Sequence, residues 1–479
     1  MLNKILILFK KKYLLKFSKY FNKKVNINFN DYNFQNLIFE DIEKLKKIFF
    51  TEKYRDNCNL KNIDEDYHSF NFLVIGRILG GSKGINLSKK HIFYWNSLKN
   101  NKFSIIWSEK LITKRFINLV YNYDFFAISA SKSEKNTIDR IILKHNALIS
   151  LIIKDNKNNF YSIEILKAHI LGSLILEKKK IDLKKIIANF LFNQIDKNGF
   201  HKSYSPLQHT KFINNLHEIK NIILFFNLEV PKEINFQIIN MTSLLLSLLH
   251  KDRSIALFNG TNNKKIGEII KIINLSKDIK SKKINNLKNG IAIFTNKNSK
   301  LFLDIVKPSN ESLHDNIHAS TLAFEFSHDS EKIITNCGSL EKRMGKKPEY
   351  LRLSAAHSSI IINNTNITEL VEKKSFKRSP KNVTFSEKED ENCVVWEASH
   401  DGYLKNFNKV IKRKINISKK ENKINGTDTI LNTKIDTKTN TYSIRFHLMS
   451  NCNCILANNR KTVFIKTNKK QSWVFKSTS

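Results

Sequence analysis

The chain is poor in the residues that staple small or metal-built folds. Its five cysteines, Cys58, Cys337, Cys393, Cys452 and Cys454, include no CxxC spacing and are odd in number. That pattern excludes a zinc ribbon and argues against a disulfide framework, leaving them as small buried hydrophobes. Proline is also scarce, with five in 479 residues. Only Pro206 and Pro231 fall between residues 35 and 275, so helix can follow helix there without interruption. No apolar run approaches the ~20 residues of a membrane-spanning helix. The N-terminal MLNKILILFKKKYLL has an apolar run of five before three lysines, too short for the core of a secretory signal. Such a basic, amphipathic start could still rest on an anionic membrane. No repeat of fixed period is visible.

Negative charge is the remaining scarcity, since 82 Lys and Arg face 43 Asp and Glu, for a net charge of +39. The field around such a chain attracts polyanions: acidic polysaccharide, nucleic acid or anionic lipid. Nucleic-acid binders gather their cations on a stripe with interleaved aromatics, whereas these are spread along the whole length, so no specific nucleic-acid partner is expected. Lys, Asn, Ile and Phe crowd every part of the chain, so a biased composition explains the charge equally well. With 41% hydrophobic residues the sequence can fill real cores, and its length suits two or three domains.

What is present divides into two patterns. From about residue 35 to 275, apolar residues recur at spacings of three and four, predicting helices over 138–153, 162–176, 183–192, 212–226 and 234–249. The last two read as a hairpin closed at Leu228-Glu229-Val230-Pro231. Antiparallel helices in series close into a toroid or stack as a solenoid. A lysine-rich stretch, 276–288, reads as a linker or an exposed helix. Beyond it the period shifts to two, predicting strands over 290–295, 300–305, 321–326, 332–336, 358–362, 393–397, 410–416, 441–448 and 462–466. About nine strands with no helices between them suit an antiparallel β-sandwich.

Three segments in order then carry a family likeness: HASTLAFEFS from His318 to Ser327, IITNCG from Ile333 to Gly338, and LSAAHSSII from Leu353 to Ile361. This order resembles the C-terminal domain of the heparinase II/III-like polysaccharide lyases. Further likenesses are Ala398 to Tyr403 (ASHDGY), Arg445-Phe446-His447, and Ser472 to Phe475 (SWVF). Upstream, Arg253 to Gly260 (RSIALFNG) and Asp66 to Leu73 (DYHSFNFL) are similar to an alphaproteobacterial branch of the same family. The resemblance implies an α/α-toroid over 1–275, the linker 276–288, and a β-sandwich over 289–479. It also implies β-elimination of uronic-acid glycans, and a place in the cell envelope or periplasm, although no export signal is readable.

Elimination requires a donor to neutralise the uronate carboxylate, a base at C5 and an acid at the leaving oxygen. In the family a tyrosine at a helix start supplies such chemistry. The matching segment here is Gly199 to His209, where Gln208 stands in the tyrosine's place, and glutamine neither takes nor gives a proton near neutral pH. Tyr204 and His209 become the candidate acid and base, with His217 two turns beyond, and a partly buried structural role is the alternative for each. Tyr403 offers a second phenol beside His400, in a turn built by Asp401-Gly402. Arg352 could hold a substrate carboxylate through both its nitrogens.

The resemblance further implies a divalent metal, commonly zinc, at His318, Asn336 and His357. An amide is a poor ligand, so His314, Asp315 or a water would have to complete the shell. The family's additional catalytic histidine falls on Asn316. The alternative for the three is a polar cluster, two imidazoles bonded to one another and to Asn336, with no metal. Two functions therefore stand open: a lyase acting on an acidic polysaccharide, and a glycan-binding protein of the same fold that has lost elimination.

Overall fold

The computed structural model describes residues 65–98, 105–127, 129–156, 161–177, 182–262, 266–283, 287–309, 317–339, 348–371, 375–433, 439–469 and 471–478. The N-terminal peptide, Cys58, His314, Asp315 and Asn316 lie outside these residues. The chain forms two compact units, one of residues 1–193 and 215–235, the other of 194–214 and 236–479. The second unit thus gathers parts of the helical half with all of the strands.

The longer helices are α1 (Phe72–Leu79), α2 (Gly81–Ser97), α3 (Glu109–Tyr121), α4 (Lys132–Asp155), α5 (Ile163–Gly172), α6 (Leu183–Gln194), α7 (Pro206–Phe225), α8 (Lys232–Ser247) and α9 (Ile266–Leu275). Each predicted helix is present, and the differences lie at the ends. The α4 helix begins six residues earlier than apolar periodicity alone places it, because Ser131 and Glu134 form a reciprocal capping box that starts it in polar sequence. Its buried face, Ile138, Ile141, Ile142, His145, Ile149 and Ile152, keeps the three-and-four spacing. The α7 helix starts at Pro206, earlier than expected, with the Ser205 hydroxyl accepting from the Gln208 N–H at 3.4 Å. The expected lysine-rich linker follows α9, and its described residues form neither helix nor strand.

Strands occupy β1 (Ile291–Thr295), β2 (Ser299–Asp304), β3 (Phe324–His328), β4 (Glu331–Thr335), β5 (Ile360–Ile362), β6 (Glu369–Val371), β7 (Ser375–Arg378), β8 (Val383–Glu389), β9 (Cys393–Tyr403), β10 (Lys409–Ser418), β11 (Ile424–Asn432), β12 (Tyr442–Ile444), β13 (His447–Leu448), β14 (Asn453–Leu456), β15 (Thr462–Lys466) and β16 (Ser472–Lys476). Every described pairing is antiparallel. The main sheets run β1-β2-β3-β4-β13 and β11-β10-β9-β8, with β14-β15-β16 as a third. Strand β9 shows why one face is buried: Val394, Trp396, Ala398 and His400 point inward, and the residues between them are half-buried. Val394, Trp396 and Ala398 join Phe302, Phe326 and Ile415, together with Phe200, Leu244 and Leu248 from the preceding segments, in one core. Fully burying each such large side chain stabilises by ~1.5–3 kcal/mol.

Candidate functional site

The HASTL segment is a loop between β2 and β3 rather than a strand, and it is held from several sides. The Ile317 carbonyl accepts from both Nε and Nη2 of Arg352, at 3.2 and 3.0 Å, and the Arg352 carbonyl accepts the Ala319 N–H at 2.8 Å. Arg352 sits in the short 3-10 helix Pro348–Arg352, so it braces the His318 loop, a role sequence reasoning did not assign. Arg413 donates to the Leu322 and Ser358 carbonyls at 2.6 and 3.0 Å while pairing in a fork with its cross-strand neighbour Asp428 at 2.7 and 2.8 Å.

His318 and His357, 39 residues apart, meet side by side: His318 Nδ1 lies 3.2 Å from His357 Nε2. His357 Nδ1 lies 3.3 Å from Asn336 Oδ1, which also accepts the Ser358 N–H at 3.2 Å. The expected trio is therefore assembled, from three loops flanking β3, β4 and β5. The Gly260 N–H points at His318 Nε2 from 2.9 Å. Its neighbour Asn259 accepts the His318 N–H at 3.2 Å and donates to the Tyr204 carbonyl at 3.1 Å. Asn259 and Gly260 both adopt positive φ, 47° and 80°, which an Asn-Gly pair tolerates and which turns the two groups toward the histidine.

Glu325 anchors the far side of Asn336. Its Oε1 accepts from the Asn336 N–H, the Asn336 Nδ2 and the Leu257 N–H at 3.0, 3.2 and 3.2 Å. Its Oε2 lies 3.1 Å from His250 Nε2, and His250 Nδ1 lies 2.7 Å from the Ser327 hydroxyl. Burial alone would raise the Glu325 carboxyl, but the Lys332 ammonium, His250 and the Asn336 N–H outweigh it and hold the group below the usual carboxylate range. Burial and the Lys332 ammonium push His250 below the ordinary imidazole range, against the pull of the Glu325 carboxylate beside it. His250, Glu325, Asn259 and Gly260 were missed as site residues. The Phe-Asn-Gly end of the RSIALFNG segment was the available signal.

The other candidates are placed as follows. The Tyr204 hydroxyl lies 3.4 Å from Asp196 Oδ2 and accepts from Asn289 Nδ2 at 3.1 Å. Its backbone is left-handed, φ 48°, and its ring packs against Gly290. Burial raises the Asp196 carboxyl above its ordinary range, against three backbone N–H groups and Tyr204. His209 is buried. Its Nδ1 accepts the His201 N–H at 3.2 Å, so the ring proton sits on Nε2 and goes to the Met241 carbonyl at 2.8 Å. Burial pushes it down to about 4, leaving both nitrogens committed to backbone and neither poised for proton transfer.

Gln208 is half-buried on the first turn of α7, and His217 is half-buried further along it. His400 and Tyr403 do not form a turn. They lie at the end of β9, where Gly402 is required because a Cβ there would come within 2.9 Å of Ile367. Tyr403 is fully buried and donates to the Ile360 and Thr365 carbonyls at 3.1 and 3.0 Å. Burial pushes its phenol far up and drives His400 down to about 3. These two residues are core, away from solvent, and not grouped with Tyr204.

The expected metal does not fit the trio. A backbone N–H only donates, so His318 Nε2 must be the acceptor and the neutral ring carries its proton on Nδ1, aimed at His357. Neither ring has a lone pair left to face an ion. Among the described residues no group of three His, Cys, Asp or Glu side chains is spaced to hold a metal.

Residues 282–479 match the family described as heparinase II/III-like, C-terminal. Similar solved structures include a mutant of the heparan sulfate lyase HepC from Pedobacter heparinus, at 13% identity over 99% of this chain and 81% of that one, with a TM-score of 0.59. Heparinase III is similar at 12% identity over 96% and 81%, with a TM-score of 0.64. No curated protein matched the chain. At such identities the structural likeness is one of fold, and it carries the expected class, helical toroid and then antiparallel sandwich. The HASTLAFE, NCG and AAHS motifs lie within residues 282–479, the part that matches the heparinase II/III-like C-terminal domain. Among the described residues no helix is long and apolar enough to cross a membrane.

Proposed function

We propose that the chain is a polysaccharide lyase acting on an anionic, uronic-acid-containing glycan. The family of its C-terminal part and the charge of +39 support this reading, because a cationic surface concentrates such a substrate. The observation that carries it is the state of Tyr204. Its hydroxyl is bonded to the side chains of Asp196 and Asn289, whereas the titratable atoms of His209 and Tyr403 are bonded to backbone groups. In the reaction the phenol, as phenolate, takes the C5 proton, the C4–O4 bond breaks, the C4–C5 double bond forms, and a proton returns to the leaving oxygen. Asp196 and Asn289 orient the phenol.

A second reading, glycan binding without elimination, is favoured by Gln208 in the family's tyrosine place and by His209 spent on the Met241 carbonyl. The test is the ultraviolet absorbance of the unsaturated uronate, with alginate, heparan sulfate or hyaluronan as substrate and salt-dependent binding measured alongside. The lyase reading expects absorbance from the parent chain and at least a hundredfold less from Tyr204→Phe with binding retained. Binding to a uronate with no absorbance from the parent establishes the second reading.

A further inference from the structure

The direction of each hydrogen bond in the His318 cluster is set from both ends. At one end the Gly260 N–H fixes the His318 acceptor, so protons point from His318 to His357 and from His357 to Asn336. At the other end the Glu325 carboxylate only accepts, which fixes the Asn336 amide with Nδ2 toward Glu325 and Oδ1 toward His357. The Ser358 N–H demands the same orientation of that amide. The two ends agree, and no link is left with two donors or two acceptors facing each other.

We propose that this cluster is a metal-free relay, running from His318 through His357 and the Asn336 amide to Glu325, that locks the Asn259–Gly260 turn to the sheet without a divalent cation. Amide chemistry is what the position requires. Asn336 accepts from an imidazole and a backbone N–H while donating to a carboxylate, and an aspartate there would set two anions against each other. A metal on His318 Nδ1 would move the ring proton to Nε2, to face the Gly260 N–H across 2.9 Å. A metal on His357 Nε2 would evict the His318 donor. The inference does not depend on whether the chain eliminates or only binds.

Four measurements on the full chain test it. Elemental analysis after dialysis against zinc chloride and then metal-free buffer is expected to find far less than one zinc per chain; a stoichiometric ion overturns the proposal. Melting in excess EDTA and in excess zinc is expected to give the same midpoint, and a fall in EDTA overturns it. Nitrogen NMR of isotope-labelled histidine is expected to show His318 and His357 as neutral Nδ1–H tautomers whose shifts ignore added zinc. A proton on Nε2 of either ring, or a zinc-shifted nitrogen, refutes the relay. Asn336→Asp in EDTA should melt several degrees below the parent, and equal melting would deny the amide its role.

Discussion

Each compact unit buries an ion completely, and the two are kept in opposite ways. In the first, Arg115 has no carboxylate against it among its described contacts. Its guanidinium lies against both Trp95 and Trp107, 4.8 and 5.0 Å from the ring centroids, and donates to His145 Nε2 and the His68 carbonyl at 2.9 and 2.8 Å. In the second, Glu325 is ringed by N–H donors with the Lys332 ammonium nearby. Burial lowers Arg115 to about 9, which still leaves it charged, whereas Glu325 is driven the other way, deeper into its ionised form. A soft cation tolerates π-faces and neutral acceptors, while a compact anion needs directed donors. The anion's site is therefore the more exacting, and the one around which the histidine relay is ordered.

The largest effect that would sharpen this contrast is expected from Glu325→Gln. The amide keeps the shape but loses the charge that balances Lys332, and its NH2 must either face the Asn336 and Leu257 donors or turn to His250 and force that ring to change tautomer. A loss of ~3–5 kcal/mol is expected, as for one partner removed from a buried pair. The midpoint of denaturant unfolding measures it, and a loss under about 1 kcal/mol would mean that the donors alone, not the ion, organise the site.

Asp304 supplies the control within the same unit. It too is fully buried, but among the described residues only the Ser320 hydroxyl and the Val306 N–H serve its carboxylate, at 2.5 and 2.9 Å, and burial pushes its carboxyl up to about 7. Its folded value lies above the unfolded one, so between roughly pH 4 and 7 the native state holds a proton that the unfolded chain has released. Stability then falls as pH rises through that window, by at most about 1.4 kcal/mol per pH unit, and levels off above it. Asp304→Asn should remove this slope. Relative to the parent it should gain stability from pH 5 to 8, read as the difference between two pH-titrated unfolding curves. Parallel curves would show that Asp304 is ionised throughout and that its two donors suffice.

The sequence reveals these regions unequally. Amphipathic helices such as α4 are legible because packing leaves a periodic trace. Strands β8 and β11 were missed because VTFSEKE and INGTDTILN carry only two apolar residues each on the face toward the core, Val383 and Phe385 or Ile424 and Ile430, among polar ones, and their place follows from pairing with β9 and β10. His318, Asn336 and His357 were legible through motif order, yet their use was not, since the tautomers depend on the Gly260 N–H, 58 residues upstream of His318. His250 carries no periodic signal and meets Glu325 across 75 residues. The His-Asp-Gly segment reads as a turn from composition, but cross-strand pairing with β10 overrides that preference.

The smallest effect expected is at the other pole of the comparison. Arg115→Met replaces the guanidinium with an apolar chain that can still pack against Trp95 and Trp107, and no carboxylate among its described contacts is stranded by its removal. What remains unserved is neutral: His145 Nε2 and the His68 carbonyl, so a loss of ~1–2 kcal/mol is expected. His145 already donates Nδ1–H to the Ile141 carbonyl at 2.8 Å, and burial together with Arg115 holds its pKa well below the ordinary range. Removing the cation should let that value rise, a shift visible by histidine NMR even if stability hardly moves. A destabilisation as large as that of Glu325→Gln would erase the distinction, because it would make the aromatic-clamped cation as exacting as the donor-ringed anion.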